Sequence, residues 1–505
     1  MLTGYQLITT VRLCSYQPIT TNPGRLDMDT TRKIPLWIAI VAVSVPVFMA
    51  SLDNLVVTNA LPVMQADLGA TIEELQWFLN AYSLAFASLI LMAVALGDRL
   101  GRKKVFLAGI ALFTAASVAC AVATTPEALI IARVVQGAGG AAVLPLSLAL
   151  LAGAVPDRLR PVAIGIWGGV GGLGVALGPL IGGAVVEGMS WHAIFWLNVP
   201  IGIAALALGW WSLRESHGAR ARLDVVGLVL AVTSVFALVF GIVRGNDAGW
   251  TSTEVLLGLV GGAVLLVAFL VWEARVREPL MPLGLFRDRS FSAANAVAVL
   301  FSIGIFGAVF ILIQFMQVVQ GESPLSAGVK TMPWTMAPLV VAPLTGLIAP
   351  RVGTRALIVT GTTLQAVGLA WFALVLAPDV AYATMIPAFI AAGVGMGLVF
   401  APSATAVLAH MAPQNHAKAS GTNSTLREIG VALGVAILTA VFTGAGGDFT
   451  PTEYTDAAIP ALWTGVAFLL LATVAGLALP AGRGVGGADA VVEEPEPAYV
   501  PARVS

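Results

Sequence analysis

Fourteen apolar stretches, separated by short polar turns, set the limits on how this 505-residue chain folds. Each runs for roughly 17 to 28 residues, enough for a helix to cross a hydrocarbon core of about 30 Å. They lie near 34–59, 75–96, 105–123, 127–153, 162–186, 192–212, 225–243, 254–272, 291–318, 325–348, 356–376, 381–408, 422–442 and 459–480. Charged residues make up only 10% of the chain and hydrophobic ones 58%, whereas a soluble domain is about one-quarter charged. The sequence therefore predicts an all-α polytopic membrane protein.

Charge sets the orientation. With both termini cytoplasmic, every Lys and Arg except Arg133, Arg244 and Lys330 falls in a cytoplasmic segment. The opposite orientation breaks the positive-inside rule. Cys14 and Cys120 are the only cysteines, one in the N-terminal tail and one in a span, so no disulfide framework is expected. The first 27 residues lack the apolar core of a signal peptide; two readings stay open, a translation start at Met28, just ahead of a Thr-Thr-Arg-Lys stretch, and a disordered tail. From Gly482 the chain is rich in Gly, Pro and Glu, which reads as a disordered tail.

The spans group into two blocks of six. The expected organisation is a tail over 1–33, a first half over 34–222, two extra spans and a loop over 223–290, a second half over 291–480 and a tail over 481–505. Basic loops recur at matching places, Asp98 to Lys104 after span two and Arg351 to Arg355 after span ten. Parallel halves of this kind place a substrate site near the membrane midplane, between them.

Span five carries Gly174, Gly178, Pro179, Gly182 and Gly183. Glycine and proline cost a soluble helix roughly 1 and 3 kcal/mol each. In lipid the helix persists, and small residues let a neighbour approach closely. These five positions form a candidate hinge or seal.

Inside span one lies Asp53. An intramembrane carboxylate is expensive and marks function by default. Burial favours the neutral form of a carboxyl group, as proton coupling requires. Arg133 in span four is its natural partner. Counted from the outer span ends, both lie roughly 9 Å deep, which allows an ion pair or a water bridge. A structural hydrogen-bonding role remains open for each.

Several motifs point the same way. Span five reads G-x-x-x-G-P-x-x-G-G, span four opens R-x-x-Q-G at Arg133, and Trp191 to Gly202 follows span five. Leu285 to Phe291, Gln317 to Gly328 and Ala419 to Gly430 come later. The loop after span two keeps Asp98, Arg99, Gly101, Arg102 and Lys103 of G-x-L-A-D-R-x-G-R-K, with Val94 in place of the first glycine. In this order they resemble the fourteen-span drug:proton antiporter branch of the major facilitator superfamily. The family pattern around Asp53 is kept at Leu52, Asp53, Ala60, Leu61 and Pro62. Leu55 replaces a threonine, Thr58 replaces an asparagine, and Asn59 lies one position later, about 100° around the helix.

The resemblance implies the major facilitator fold, two six-helix halves plus two extra central helices. It implies a proton-coupled antiporter that exports hydrophobic, often cationic compounds by alternating access. Asp98, Arg99, Gly101, Arg102 and Lys103 would act in gating, in a loop that sequence alone supports only as a basic cytoplasmic turn. Candidates for the substrate cavity are Trp77, Asn80 and Tyr82 in span two, Gln314 and Gln317 in span nine, and Trp334 in span ten. Glu73 and Glu74 read as a solvated helix start. The partners expected are small-molecule substrates, protons and the lipid bilayer, with the chain a monomer in a bacterial inner membrane.

Several chemistries find no support. Gly169, Gly171 and Gly174 satisfy G-x-G-x-x-G, but no strand precedes them. No phosphate-binding loop G-x-x-x-x-G-K-[ST] occurs, and the four histidines form no catalytic or metal-binding pattern. No enzyme activity, cofactor, metal or nucleic-acid partner is expected. Two rivals stay open, a dedicated exporter of a single metabolite and a non-transporting sensor on the same scaffold.

Overall fold

The computed structural model describes residues 35–156, 159–218, 224–409, 411 and 416–480. Both tails, with Cys14 and Met28, lie outside these, as do Arg158, Arg220 and Arg222 of the basic loops. The described residues are helical, and no strand occurs among them. The helices make up fourteen spans long and apolar enough to cross a membrane.

In the first half run α1 (Leu36–Leu68), α2 (Ile72–Leu100), α3 (Arg102–Ala121), α4 (Pro126–Ala154), α5 (Arg160–Gly188), α6 (His192–Trp196) and α7 (Asn198–Ser212). The extra pair is α8 (Val225–Ala248) and α9 (Thr253–Glu273). The second half holds α10 (Arg289–Gln314), α11 (Pro324–Thr335), α12 (Ala337–Val352), α13 (Thr354–Val375), α14 (Tyr382–Leu408), α15 (His416–Gly444) and α16 (Pro451–Leu477).

Local chemistry fixes the ends. The Thr71 side chain accepts from Glu74 N at 3.2 Å while the Glu74 carboxylate accepts from Thr71 N at 2.8 Å, a capping box that starts α2. Thr125 caps α4 with Pro126 in its first turn, and Ser252 and Ser323 cap α9 and α11. Spans six and ten are each broken. Pro200 has no N–H for the Trp196 carbonyl, and α6 gives way to α7 at Leu197. Pro338 likewise has none for the Trp334 carbonyl, and α11 gives way to α12 at Met336.

Two spans differ most from their expected limits. Helix α1 continues past 59 to Leu68, through Pro62, and stops at Gly69, whose φ of +63° is left-handed. Helix α16 begins at Pro451 rather than 459, because its first turn is polar. Hydropathy marks the part of a helix that faces lipid, and a helix runs on into water wherever its caps allow.

Within the first half α1 lies along α5, α4 packs on α2 and α3, and α7 closes on α1 and α3. In the second half α10 packs on α15 and α16, and α13 on α14 and α16. Between halves, α5 runs against α11 and α2 against α15. The α8–α9 pair attaches through α8 to both α2 and α15. One end of the bundle carries Arg99 to Lys104 and is called the basic end. The other carries Glu73, Glu187, Glu254, Glu322 and Glu453 and is called the acidic end. Large apolar side chains such as Trp210, Leu347 and Leu374 stand exposed on the outside, as a lipid-facing surface requires.

Candidate functional site

Asp53 is 3% exposed and Arg133 fully buried, and the two form an ion pair between α1 and α4. Three further side chains complete the arrangement. Gln136, one turn beyond Arg133, donates Nε2–H to Asp53 Oδ1 at 2.8 Å. Asn198, the first residue of α7, donates to the same oxygen at 2.8 Å. Ser117 of α3 accepts from Gln136 at 2.9 Å. Arg133 Nε donates to the Phe78 carbonyl at 2.9 Å, and its guanidinium lies 4.4 Å from the Tyr82 ring centre, in cation–π contact. Both carboxylate oxygens therefore have donors.

The equal-depth argument brings Asp53 and Arg133 together correctly, although α1 overshoots the start of α4 and ends 15 residues after Asp53. Sequence reasoning missed Gln136 and Asn198 as site residues. Their signals are an amide three residues beyond an intramembrane arginine, and a second amide at a helix break.

The five span-five positions divide between two faces. A Cβ at Gly174, Gly178 or Gly182 would meet α1, at Phe48 O, Leu55 Cβ and Val56 Cα. These three let α1 and α5 pack closely within one half. Gly183 points elsewhere: its Cβ would lie 2.3 Å from Pro324 O, across the seam in α11. Reciprocally, a Cβ at Gly328 would lie 2.3 Å from Pro179 O. Asn59 ties the seam, donating to Pro179 O and Pro324 O at 2.9 Å each. Gln317, in a π-helical turn over Phe315–Val319, donates to Asn59 O and Oδ1 at 2.8 and 2.9 Å. Glu187 accepts from Ser323 Oγ at 2.6 Å and Leu325 N at 3.2 Å, capping α11 from the opposite half. The halves are thus closed together at the acidic end.

At the basic end the loop after α2 is held within its own half. Asp98 pairs with Arg102 at 2.7 Å. Glu215 accepts from Lys103 N at 2.9 Å and Lys104 N at 3.2 Å, at the start of α3. Lys103 Nζ donates to Trp210 O and Leu213 O at 2.7 and 2.8 Å. Gly101 has φ +116°, and a Cβ there would strike the Glu215 carboxyl. Arg99 is exposed.

The cavity candidates scatter. Trp334 lines an apolar cavity between α1, α5, α10, α11 and α14, with Leu55, Pro179, Ile305 and Met396. Trp77 instead packs on Phe236 of α8 at 5.5 Å, and Tyr82 belongs to the Arg133 site. Gln314 turns back on its own helix, donating to Phe310 O at 3.1 Å, and Gln317 serves the seam. Asn80 is fully buried, with both amide atoms unpartnered, on the same face of α2 as unpartnered Gln76 Oε1 and Ser83 Oγ. Glu73 is ion-paired to Arg244 at 3.0 Å rather than simply solvated. Among the described residues no group of three or more His, Cys, Asp or Glu is placed to hold a metal ion.

Fourteen membrane-length spans, two six-helix halves plus an extra pair, with the halves closed on each other at the acidic end and a buried ion pair inside the first half, define a multi-pass membrane transporter of small molecules. The sequence matches the Major Facilitator Superfamily over residues 43–435, and the chain belongs to that family. Among curated relatives, the cephamycin export protein CmcT of Amycolatopsis lactamdurans is 37% identical, covering 89% of this chain and 92% of its own. The tetracenomycin C resistance and export protein of Streptomyces glaucescens is 35% identical over 84% of this chain and 79% of its own. The multidrug resistance protein Stp of Mycobacterium tuberculosis (strain CDC 1551 / Oshkosh) is 34% identical over 80% and 75%. A solved POT family transporter in complex with 5-aminolevulinic acid shares the fold, with TM-score 0.65 at 14% identity over 87% of this chain and 94% of its own.

Proposed function

We propose that this protein is a proton-coupled antiporter exporting hydrophobic, often cationic compounds by alternating access, with Asp53 as the proton carrier. The enclosure of the Asp53 carboxylate by Arg133, Gln136 and Asn198 carries this reading. A charge so placed cannot lose its counter-ion cheaply. Protonation removes the charge and releases the arginine together with the amide donors. Helix α1 links that event to the seam: Asn59 lies six residues beyond Asp53, about 9 Å along the same helix. Reorganisation of α1 around Asp53 would loosen the hold of Asn59 on Pro179 and Pro324. Gly174, Gly178 and Gly182 would let α1 and α5 move as one body, while Pro179 and Gly183 form the seal. The half-molecule limits 34–222 and 291–480, the cytoplasmic placing of both termini, a bacterial inner membrane and a monomeric state belong to the same reading.

The names of the relatives favour a second reading. Two are named for export of one compound each, cephamycin and tetracenomycin C, and one for multidrug resistance. A dedicated exporter of a single metabolite would use the same machinery with a narrower cavity. The test is dye efflux in inverted vesicles, with and without a pH gradient. Wild-type protein should show gradient-dependent flux. Asp53→Asn keeps size and hydrogen bonding but cannot exchange a proton, so flux should be lost while the protein still folds. Full gradient-driven flux from Asp53→Asn would remove Asp53 from the coupling role.

A further inference from the structure

We propose that the linker from α9 to α10 is a binding site for anionic phospholipid, with Arg275, Arg277, Arg287 and Arg289 holding headgroup phosphates of the adjoining leaflet. This goes beyond the export reading and stands independently of it.

The linker covers 274–288 at the basic end, and Arg289 opens α10. All four arginines are exposed, and none has a side-chain hydrogen bond or ion pair among the described residues. At the same end Arg102 is tied to Asp98, and Lys103 to two backbone carbonyls. Over 274–289 the four arginines outweigh Glu278 and Asp288, which leaves a net charge of +2. Asp288 is also turned inward, capping α10 by accepting from Phe291 N at 2.8 Å. The patch therefore calls for an anion from outside the protein.

Position decides which anion. The last turns of α9 present Val267, Leu270, Val271 and Trp272 to the outside, each at least 38% exposed, as a lipid-facing surface does. Arg275 and Arg277 follow the end of α9 by two and four residues, which sets them at the level of the headgroups. Leu280, Met281 and Leu283, between the two arginine pairs, are only half-buried and leave apolar surface beside the charge. Basic residues directly beyond a membrane helix, interleaved with apolar ones, favour an anionic lipid surface. A guanidinium adds a planar fork of donors that matches a phosphate.

The segment is also ordered. Met281 N donates to the Glu273 carboxylate at 3.1 Å, Phe286 packs edge-on to Phe291 at 5.0 Å, and the Phe286 carbonyl accepts from Ser292 Oγ. Both arginine pairs thus sit on a linker whose shape is already set, so lipid binding orders little further chain.

The test uses the full-length chain in phosphatidylcholine nanodiscs, with Cys14 and Cys120 changed to serine and Gly284→Cys carrying a bimane fluorophore. Gly284 is exposed, and a Cβ there meets nothing within 4 Å. A minor fraction of phosphatidylglycerol, spin-labelled near the top of one chain, is compared with the same fraction of spin-labelled phosphatidylcholine. Phosphatidylglycerol should quench the bimane as though enriched about 5-fold, the scale of one close arginine–headgroup contact. Raising salt to about 1 M, where the Debye length is about 3 Å, should abolish the enrichment. Arg275→Gln, Arg277→Gln, Arg287→Gln and Arg289→Gln together should abolish it too, and the four Lys replacements should keep most of it. Lys104→Gln, Arg214→Gln, Arg351→Gln and Arg355→Gln together remove as much charge from the same end and should leave it in place. Equal quenching by the two lipids in the parent protein would overturn the proposal, whatever the variants do. An equal loss in this second set would reduce the effect to net charge and overturn it as well. So would displacement of phosphatidylglycerol by inorganic phosphate at constant ionic strength, which would assign the arginines to a soluble anion.

Discussion

Replacing Gly183 by alanine adds one methyl group where the seam has no room for it. The new Cβ would lie 2.3 Å from Pro324 O and 2.6 Å from Leu325 Cα, both backbone atoms that cannot rotate aside. Contacts this short force the helices apart, and overpacking of a tight interface costs about 1 to 3 kcal/mol. The strain exists only while α5 and α11 are closed on each other. It therefore shifts the balance toward states open at the acidic end by roughly 5- to 150-fold. The assay is thiol labelling. With Cys14 and Cys120 changed to serine, Val309→Cys supplies a reporter in the cavity wall beneath the seam. A membrane-impermeant maleimide added at the acidic end should label it faster in Gly183→Ala than in the parent. Gly172→Ala lies on the same helix, and its Cβ meets nothing within 4 Å, so labelling should not change. Unchanged labelling in Gly183→Ala, or an equal rise in Gly172→Ala, would refute the argument.

Other changes test the remaining parts. Asn198→Ala removes one of the two amide donors to Asp53 Oδ1, a buried hydrogen bond to a carboxylate worth about 1.5 to 3 kcal/mol, and should lower Tm; an unchanged Tm would deny Asn198 a hold on the carboxylate. Arg133→Ala strands a buried carboxylate and should cost about 3 to 5 kcal/mol, read as a fall in Tm that Asp53→Asn in the same chain largely reverses. Glu215→Ala removes the acceptor at the start of α3 and should cost about 1 kcal/mol, seen as faster proteolysis of the α2–α3 turn. Glu322, between α10 and α11, is held below its usual value of 4.5 by Lys330 and Ser326. Its contribution is present above pH 4.5 and disappears as pH falls through the lowered value. The Tm gap between wild type and Glu322→Gln should therefore close under acid.

Some of this was legible from residues alone. An aspartate and an arginine inside apolar spans have few places to go but each other, and depth counting from the span ends brings them together. Gln136 and Asn198 converge on Asp53 from separate helices, and no spacing in one dimension encodes that. The glycines of α5 were visible as a group. Their division was implicit in the period: 174, 178 and 182 share a face, while 183 lies about 100° round. What each face meets depends on tertiary packing. Trp77 and Gln314 show the same limit, because an aromatic or an amide in a span is equally consistent with a cavity, a neighbouring helix or its own backbone.

Helix α8 has a mechanical consequence. Arg244 reaches Glu73 on α2 at 3.0 Å, and Asn246, two residues on, donates to Thr443 Oγ1 on α15 at 2.7 Å. Trp77 of α2 meets Phe236 lower on the same helix. One rod is thus fastened to both covers along the line where α2 meets α15, like the spine of a book. Covers bound along a spine part at the fore-edge, and here the fore-edge is the α5–α11 seam, closed by tight backbone contacts and the side chains of Asn59, Gln317 and Glu187. Cutting the binding at Arg244 should leave the seam's own contacts intact and let the pages skew, so that opening loses its direction before it loses its extent.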